Sequence, residues 1–522
     1  MIRFRPALLK VTVSALALAT AGCIHTPNPA GLKLSDVPAQ FDTKAPPNAP
    51  VWPSVTWWSN FGSPELTEME GAAQTDNLDM AAAAARVLEA DASSGVARAP
   101  LFPNLTGSFT GERGSGRIST TVTSGTGGTG GTGTGGTGTG GTGTGTTSTT
   151  IVGNTFGATL DASYALDLFG ELHAQYRAAV ETLRSSRYAQ QTVALTTEAT
   201  VATTYLDVLA LRERVTIAKQ NIAAAQRILA ITQAKVTNGV SSNLDLAQQK
   251  AQVEAQEATV PVLEQQVKTE LYALAVLLGR PPEGFDVKAQ NLNGLAPPII
   301  GPGLPSELLR RRPDVAEAEA ALYSAHANVD AARAAFFPQI TLTGSAGQSA
   351  NKIQHLFNSS NFVWSLGGEL LQTIFDGGLL SSESDLAKAT QLELIADYRK
   401  SAISAFSDVE NSLGNTSSLA EQERLVTAEV ADAQEAFRIA ELQYREGVAD
   451  LLLVLQTQQT LFTAQDELVQ IKLSRLQAVV GLYQALGGGW IETADGTPAT
   501  PPSGPIETSA DPVEPPASKA DQ

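Results

Sequence analysis

The chain has 522 residues, a formal net charge of -18 and a pI near 4.7, a balance that argues against a nucleic-acid partner. Charged residues make up 17% and aromatics 6%, the charged share falling below the roughly 25% usual in soluble domains. Past the N-terminus no apolar run reaches the ~20 residues of a spanning helix, so any membrane crossing has to be made by a closed β-barrel.

The chain begins with a targeting segment. Arg3, Arg5 and Lys10 precede the apolar run Val11 to Ala19, and Thr20-Ala21-Gly22-Cys23 follows. Cys23 is the sole cysteine, which excludes an intrachain disulfide. Small residues before it fit a bacterial lipoprotein box, although Thr20 stands where such boxes usually carry leucine. This reading makes residues 1–22 a signal peptide and Cys23 a lipidated first residue. Ile24, in place of aspartate, suits delivery to the outer membrane by analogy with bacterial lipoproteins.

Residues 23–63 are Pro-rich up to Pro53 and predict an extended arm. A helix then starts with Pro64 in its first turn, runs through Ala81 to Ala85, and stops near Phe102-Pro103. Leu105, Gly107 and Phe109 alternate as on one face of a strand. Phe156, Ala158, Leu160, Ala162 and Tyr164 do the same after a Gly/Thr tract over 120–150. The same pattern returns at Ile340, Leu342, Gly344 and Ala346, then at Phe362, Trp364, Leu366, Gly368 and Leu370. Two hairpins of roughly ten-residue strands result, a length that suits tilted membrane strands. Four strands are too few to close a barrel, whose smallest members have about eight. Two copies would give eight strands and three would give twelve.

Strict sevens follow. Val201, Val208, Val215, Ile222, Leu229 and Val236 keep the spacing, as do Leu246, Val253, Val260, Val267 and Leu274, and later Leu455, Phe462, Val469, Leu476 and Tyr483. They predict long helices in left-handed coiled-coil packing, with Pro261 expected to kink one of them. Each helix pair is broken by a Gly-Val turn, at Gly239-Val240 and Gly447-Val448, which lie 208 apart. Gly279 and Gly487 repeat that offset, while Asp79 and Asp314 lie 235 apart. The chain is therefore an internal repeat, 64–280 and 305–490, joined by a linker at 281–304. The first copy is longer by 27 residues, an excess that the Gly/Thr tract accounts for. Residues 491–522 are acidic, Pro-rich and aperiodic, and read as a disordered tail.

No catalytic constellation emerges. His25, His173, His326 and His355 have no metal-ligand spacing, and the Gly/Thr tract contains no phosphate-loop motif. Three methionines give no hint of a metal relay. Arg310-Arg311-Arg312 is the only dense basic cluster, and Asp314 beside it predicts local pairing. The expectation is no enzyme, no cofactor and no metal.

Several stretches resemble the outer-membrane efflux channel family, in particular the lipoprotein partners of resistance-nodulation-division pumps. They are Trp57-Trp58-Ser59-Asn60-Phe61, Gly303 through Asp314, Ala331 through Gly344, and Ala485-Leu486-Gly487-Gly488-Gly489-Trp490. The resemblance covers roughly Cys23 to Trp490. It implies an α+β membrane protein, a homotrimer whose twelve-stranded barrel continues into a long α-helical periplasmic tunnel. It also implies outer-membrane lipids around the barrel, a periplasmic adaptor, and an inner-membrane resistance-nodulation-division pump that supplies the energy. The turns at Gly239, Val240, Gly447 and Val448 become the adaptor-facing tips. The family's closure, mapped onto this chain, falls on Tyr444, Arg445, Asp450, Leu452, Leu453 and Gln456. Gln456 stands where many relatives carry an acid. The alternatives are an exit duct for type I protein secretion and a non-channel surface lipoprotein using the Gly/Thr tract for adhesion.

Overall fold

A computed structural model describes residues 37, 38, 40–42, 52–122 and 145–491, and of 116–122 and 145–152 the backbone alone. The signal peptide, Cys23, most of the arm, the centre of the Gly/Thr tract and the acidic tail lie outside the described residues. The elements in order are α1 (Pro64–Asp76), α2 (Leu78–Arg98), β1 (Asn104–Val122), β2 (Gly145–Leu166), α3 (Glu171–Thr237) and α4 (Asn243–Leu277). After the linker come α5 (Pro313–Ala334), β3 (Gln339–Ala350), β4 (Phe362–Leu371), α6 (Leu379–Glu446) and α7 (Leu451–Ala485). Among the described residues no helix is long and apolar enough to cross a membrane. The chain divides into two compact units, and each draws on both sequence repeats.

The strand unit takes Asp91–Val180 and Ser324–Lys388. Its sheet is antiparallel in the order β1-β2-β3-β4. Leu105 pairs with Ala162, Ala162 with Gly344, and Gly344 with Leu366. Directly paired residues share a face, so the four alternating sets named from the sequence fall on one side. That side is apolar and exposed, with Phe109, Leu160, Trp364, Leu366 and Leu370 open to the surroundings. Small residues opposite large ones let it pack flat. A side chain at Gly111 would touch Phe156, and one at Gly368 would touch Leu342. The other side is polar, with the Ser108 and Thr159 hydroxyls paired at 2.7 Å and those of Ser345 and Ser365 at 2.8 Å. The expected strand length is corrected for the first hairpin. β1 has 19 residues and β2 has 22, because pairing continues to Val122 and Gly145, inside the tract read as loop over 120–150. Threonine's preference for extended backbone explains why a tract without an apolar pattern still pairs.

The helical unit takes the described residues up to Ala90, Glu181–Tyr323 and Ala389 onward. Its main core gathers Trp57, Trp58 and Phe61 from the arm with Leu206, Val208 and Leu209 of α3 and Val479 and Tyr483 of α7. Trp57 stacks on Tyr483 with ring centroids 5.1 Å apart. The sevens in α7 are buried from Phe462 to Tyr483. Those in α3 hold at Val201 and Val208, and burial then moves to Ala225, Ile228 and Thr232. A straight helix of 3.6 residues per turn drifts from a strict seven-residue seam by about 20° per heptad, which shifts the buried stripe. Ion pairs tie the helices across their polar flanks, Arg214 to Asp466 at 2.6 Å and Lys219 to Glu264 at 2.8 Å. α4 runs through Pro261 without interruption.

Each repeat closes at a matching corner. A side chain at Gly279 would overlap the Asp76 carbonyl, and one at Gly487 would overlap that of Arg311. The next residue then bonds the last helical turn. Asn77 donates its amide to the Leu277 carbonyl at 2.7 Å, and Arg312 donates to that of Ala485 at 3.3 Å. Both pairs obey the 235 and 208 offsets.

Candidate gate at the helical turns

The two turns are built alike. α3 ends in a paired-bond cap, with the Gly239 N–H donating to the Val236 carbonyl and the Val240 N–H to that of Lys235, both at 2.9 Å. α6 ends the same way, Gly447 donating to Tyr444 at 3.1 Å and Val448 to Gln443 at 2.8 Å. The pattern needs a left-handed residue after the helix, and Gly239 and Gly447 supply φ of 73° and 79°. Val240 and Val448 are left pointing outward at the tips.

The helices that leave the turns are capped differently. Ser242 accepts from the Asp245 N–H at 3.1 Å, and the Asp245 carboxylate accepts from the Ser242 N–H at 3.0 Å and the Ser241 hydroxyl at 2.6 Å. This capping box satisfies two free N–H groups at once. The Ser241 hydroxyl and then the Ser242 backbone hold the Asp245 carboxyl below its usual range. At the second turn Asp450 accepts from the Leu453 N–H at 3.1 Å, and a leucine there cannot return the bond.

The residues mapped from the resemblance separate into two groups. Tyr444 is buried, its hydroxyl 2.9 Å from that of Thr232 on α3. The Lys235 ammonium donates to the Tyr444 carbonyl and stands 4.4 Å from its ring centroid, a cation–π arrangement. This knot holds the two turns side by side within the helical unit. Arg445, Asp450, Leu452, Leu453 and Gln456 are accessible. Leu452 is 59% exposed and Leu453 38%, whereas Leu451 and Val454 are buried in the seam. Arg445 pairs with its neighbour Glu446 at 3.3 Å. Sequence reasoning missed Thr232, Lys235 and the Ser242–Asp245 box. The box had a local signal, a serine three residues before an acid, but Lys235 lies 209 residues from Tyr444 and had none.

Among the described residues no cluster of three His, Cys, Asp or Glu side chains is placed to hold a metal. The paired Gly-Val turns, the coiled helices and a four-stranded sheet with one apolar and one polar side define a channel subunit of an outer membrane. The chain belongs to the outer membrane efflux protein family, whose model matches residues 71–280 and 304–488. It is similar to the pyoverdine export outer membrane protein OpmQ of Pseudomonas aeruginosa, with 40% identity over 91% of this chain and 95% of that one. It is also 31% identical to the probable efflux pump outer membrane protein TtgC of Pseudomonas putida, over 84% of this chain and 85% of that one. Among solved structures, the open state of the Neisseria gonorrhoeae MtrE outer membrane channel superposes with a TM-score of 0.72. The match covers 87% of this chain and 96% of that one at 27% identity. The protein is the outer-membrane channel component of an efflux pump, and its family is one of channels, not enzymes.

Proposed function

We propose that three copies close a twelve-stranded barrel in the outer membrane and stand on it a helical tunnel reaching into the periplasm. Small toxic compounds handed over by a proton-driven inner-membrane pump, through a periplasmic adaptor, leave the cell by this duct. The observation that carries the reading is the sheet. It has an exposed side carrying an apolar band, from Phe109 and Leu160 to Trp364, Leu366 and Leu370, and two unpaired edges, at β1 and β4. Such edges and such a face need a partner, and in a bilayer every backbone group must find one within protein. Export of small molecules is favoured over protein secretion by the relatives, whose names speak of pyoverdine, antibiotics, toluene and solvents.

Cys23 carries the lipid anchor in this reading, and Gly239, Val240, Gly447 and Val448 meet the adaptor. Repeated about the trimer axis, Leu452 and Leu453 form an apolar ring and Asp450 an acidic one, with Arg445 and Gln456 beside them. Tyr444 acts from within the subunit by bracing the turn. Disruption of the gene tests the function. A panel of toxic compounds should show heightened sensitivity, restored by the intact gene, and unchanged sensitivity to every compound in a strain lacking parallel pumps would oppose the reading.

A further inference from the structure

The core of the helical unit contains an acid with no counter-charge. Glu70, on α1, is 0% exposed, and neither of its carboxyl oxygens has a hydrogen-bond partner. One helical turn along the same face, Gln74 donates its amide to Glu198 of α3 at 2.9 Å, which sets the Glu198 carboxyl over that face. Glu198 is the charged group that acts on Glu70. Glu198 is bonded by the Gln74 amide, and among the described residues no lysine or arginine acts on either carboxyl. A fully buried carboxylate and a half-buried one beside it, with no cation, cannot both ionise at modest cost.

We infer that Glu70 and Glu198 hold at least one proton between them, and that this proton latches α1 against α3. A protonated Glu70 donates to the Glu198 carboxylate, so the bond gives the orphaned oxygen a role and removes one of two like charges. Loss of the last proton leaves the buried Glu70 anion beside a second, half-buried one and drives α1 outward. Burial, and then the charge of Glu198, raise Glu70 well above the usual glutamate range. Burial likewise raises Glu198 to about 7, against the lowering effect of the Gln74 amide. Both folded values lie above the unfolded ones. The stabilisation is therefore fully present in acid and is lost as the pH rises through about 7 and beyond.

Amide exchange of Pro64–Asp76 in the full-length purified protein, corrected for its intrinsic pH dependence, tests the latch. In the wild type, opening of α1 should rise with pH above neutrality, by up to about tenfold per pH unit for one proton lost. Glu70→Gln keeps a neutral donor at that position and should flatten the profile, and Glu198→Gln should flatten it too, which covers a failure of the first variant to fold. A flat wild-type profile would overturn the latch, as would a variant that keeps the wild-type slope.

Discussion

The corners at Gly279 and Gly487 solve one steric problem with two chemistries. In each, a carbonyl sits where a side chain would be, and the following residue bonds the end of the closing helix. The first corner uses the neutral amide of Asn77, whose oxygen also caps α2 by accepting from the Met80 N–H at 2.9 Å. The second uses Arg312, which reaches both carboxylate oxygens of Asp314, at 3.0 and 2.7 Å, and Asp408 of α6 at 3.0 Å. Burial works against the Arg312 charge, but the two aspartates more than offset it and raise its pKa. The residue matching Asp408 in the first repeat is Thr200, which bonds within its own helix. The repeat has thus kept its backbone path and replaced its side-chain chemistry, and only the second corner ties in a long helix by charge.

If the backbone is what the repeats share, the two glycines should be equally intolerant. Gly279→Ala and Gly487→Ala each force a side chain onto a carbonyl at positive φ and should cost several kcal/mol, on the order of 4, in denaturant unfolding. A tolerated Gly279→Ala beside a lethal Gly487→Ala would break the equivalence. The side chains, by contrast, should differ. Arg312→Ala strands Asp314 and loosens α6, and should cost about 3 kcal/mol once the exposure of its partners is allowed for. Asn77→Ala loses a bond and a cap, about 1–2 kcal/mol. Equal losses would show that the charge adds nothing. Arg312→Lys should not restore stability, because an ammonium cannot span two oxygens as the fork does.

The smallest expected difference lies at the turns. Ser242→Ala removes half of a reciprocal box and should cost slightly more than Asp450→Ala, each about 1 kcal/mol, read as amide exchange at the first turn of α4 or α7. Asp450→Asn should leave the helix start unchanged, since asparagine caps as well as aspartate.

Much of this was legible in the sequence where the signal was local. The alternating sets predicted one strand face each, and the register brings all four faces together. The 208 offset marked the two glycines at which the corners lie, and the proximity of Asp314 pointed to local pairing within Arg310-Arg311-Arg312, which Arg312 makes. The break between α1 and α2 was not legible, because Asp76-Asn77-Leu78 contains neither glycine nor proline, and the bond that bends the chain comes from Leu277, 200 residues away. Nor was the full extent of the first hairpin, whose Gly/Thr composition carries no apolar period. Tyr444 could be singled out, but not its direction, since Thr232 and Lys235 approach it from another helix.

Conductance across a planar bilayer tests the central claim, that this chain forms an exit channel closed beside the Gly447 turn. Leu452→Ser combined with Asp450→Asn takes the more exposed leucine from the proposed apolar ring and the charge from the proposed acidic one, while retaining the helix cap. The assembled wild type should insert and conduct weakly, and the double variant, assembled to the same mass, should conduct several-fold more. An assembled double variant with wild-type conductance would contradict the gate, and a wild type that never forms channels would contradict the duct itself.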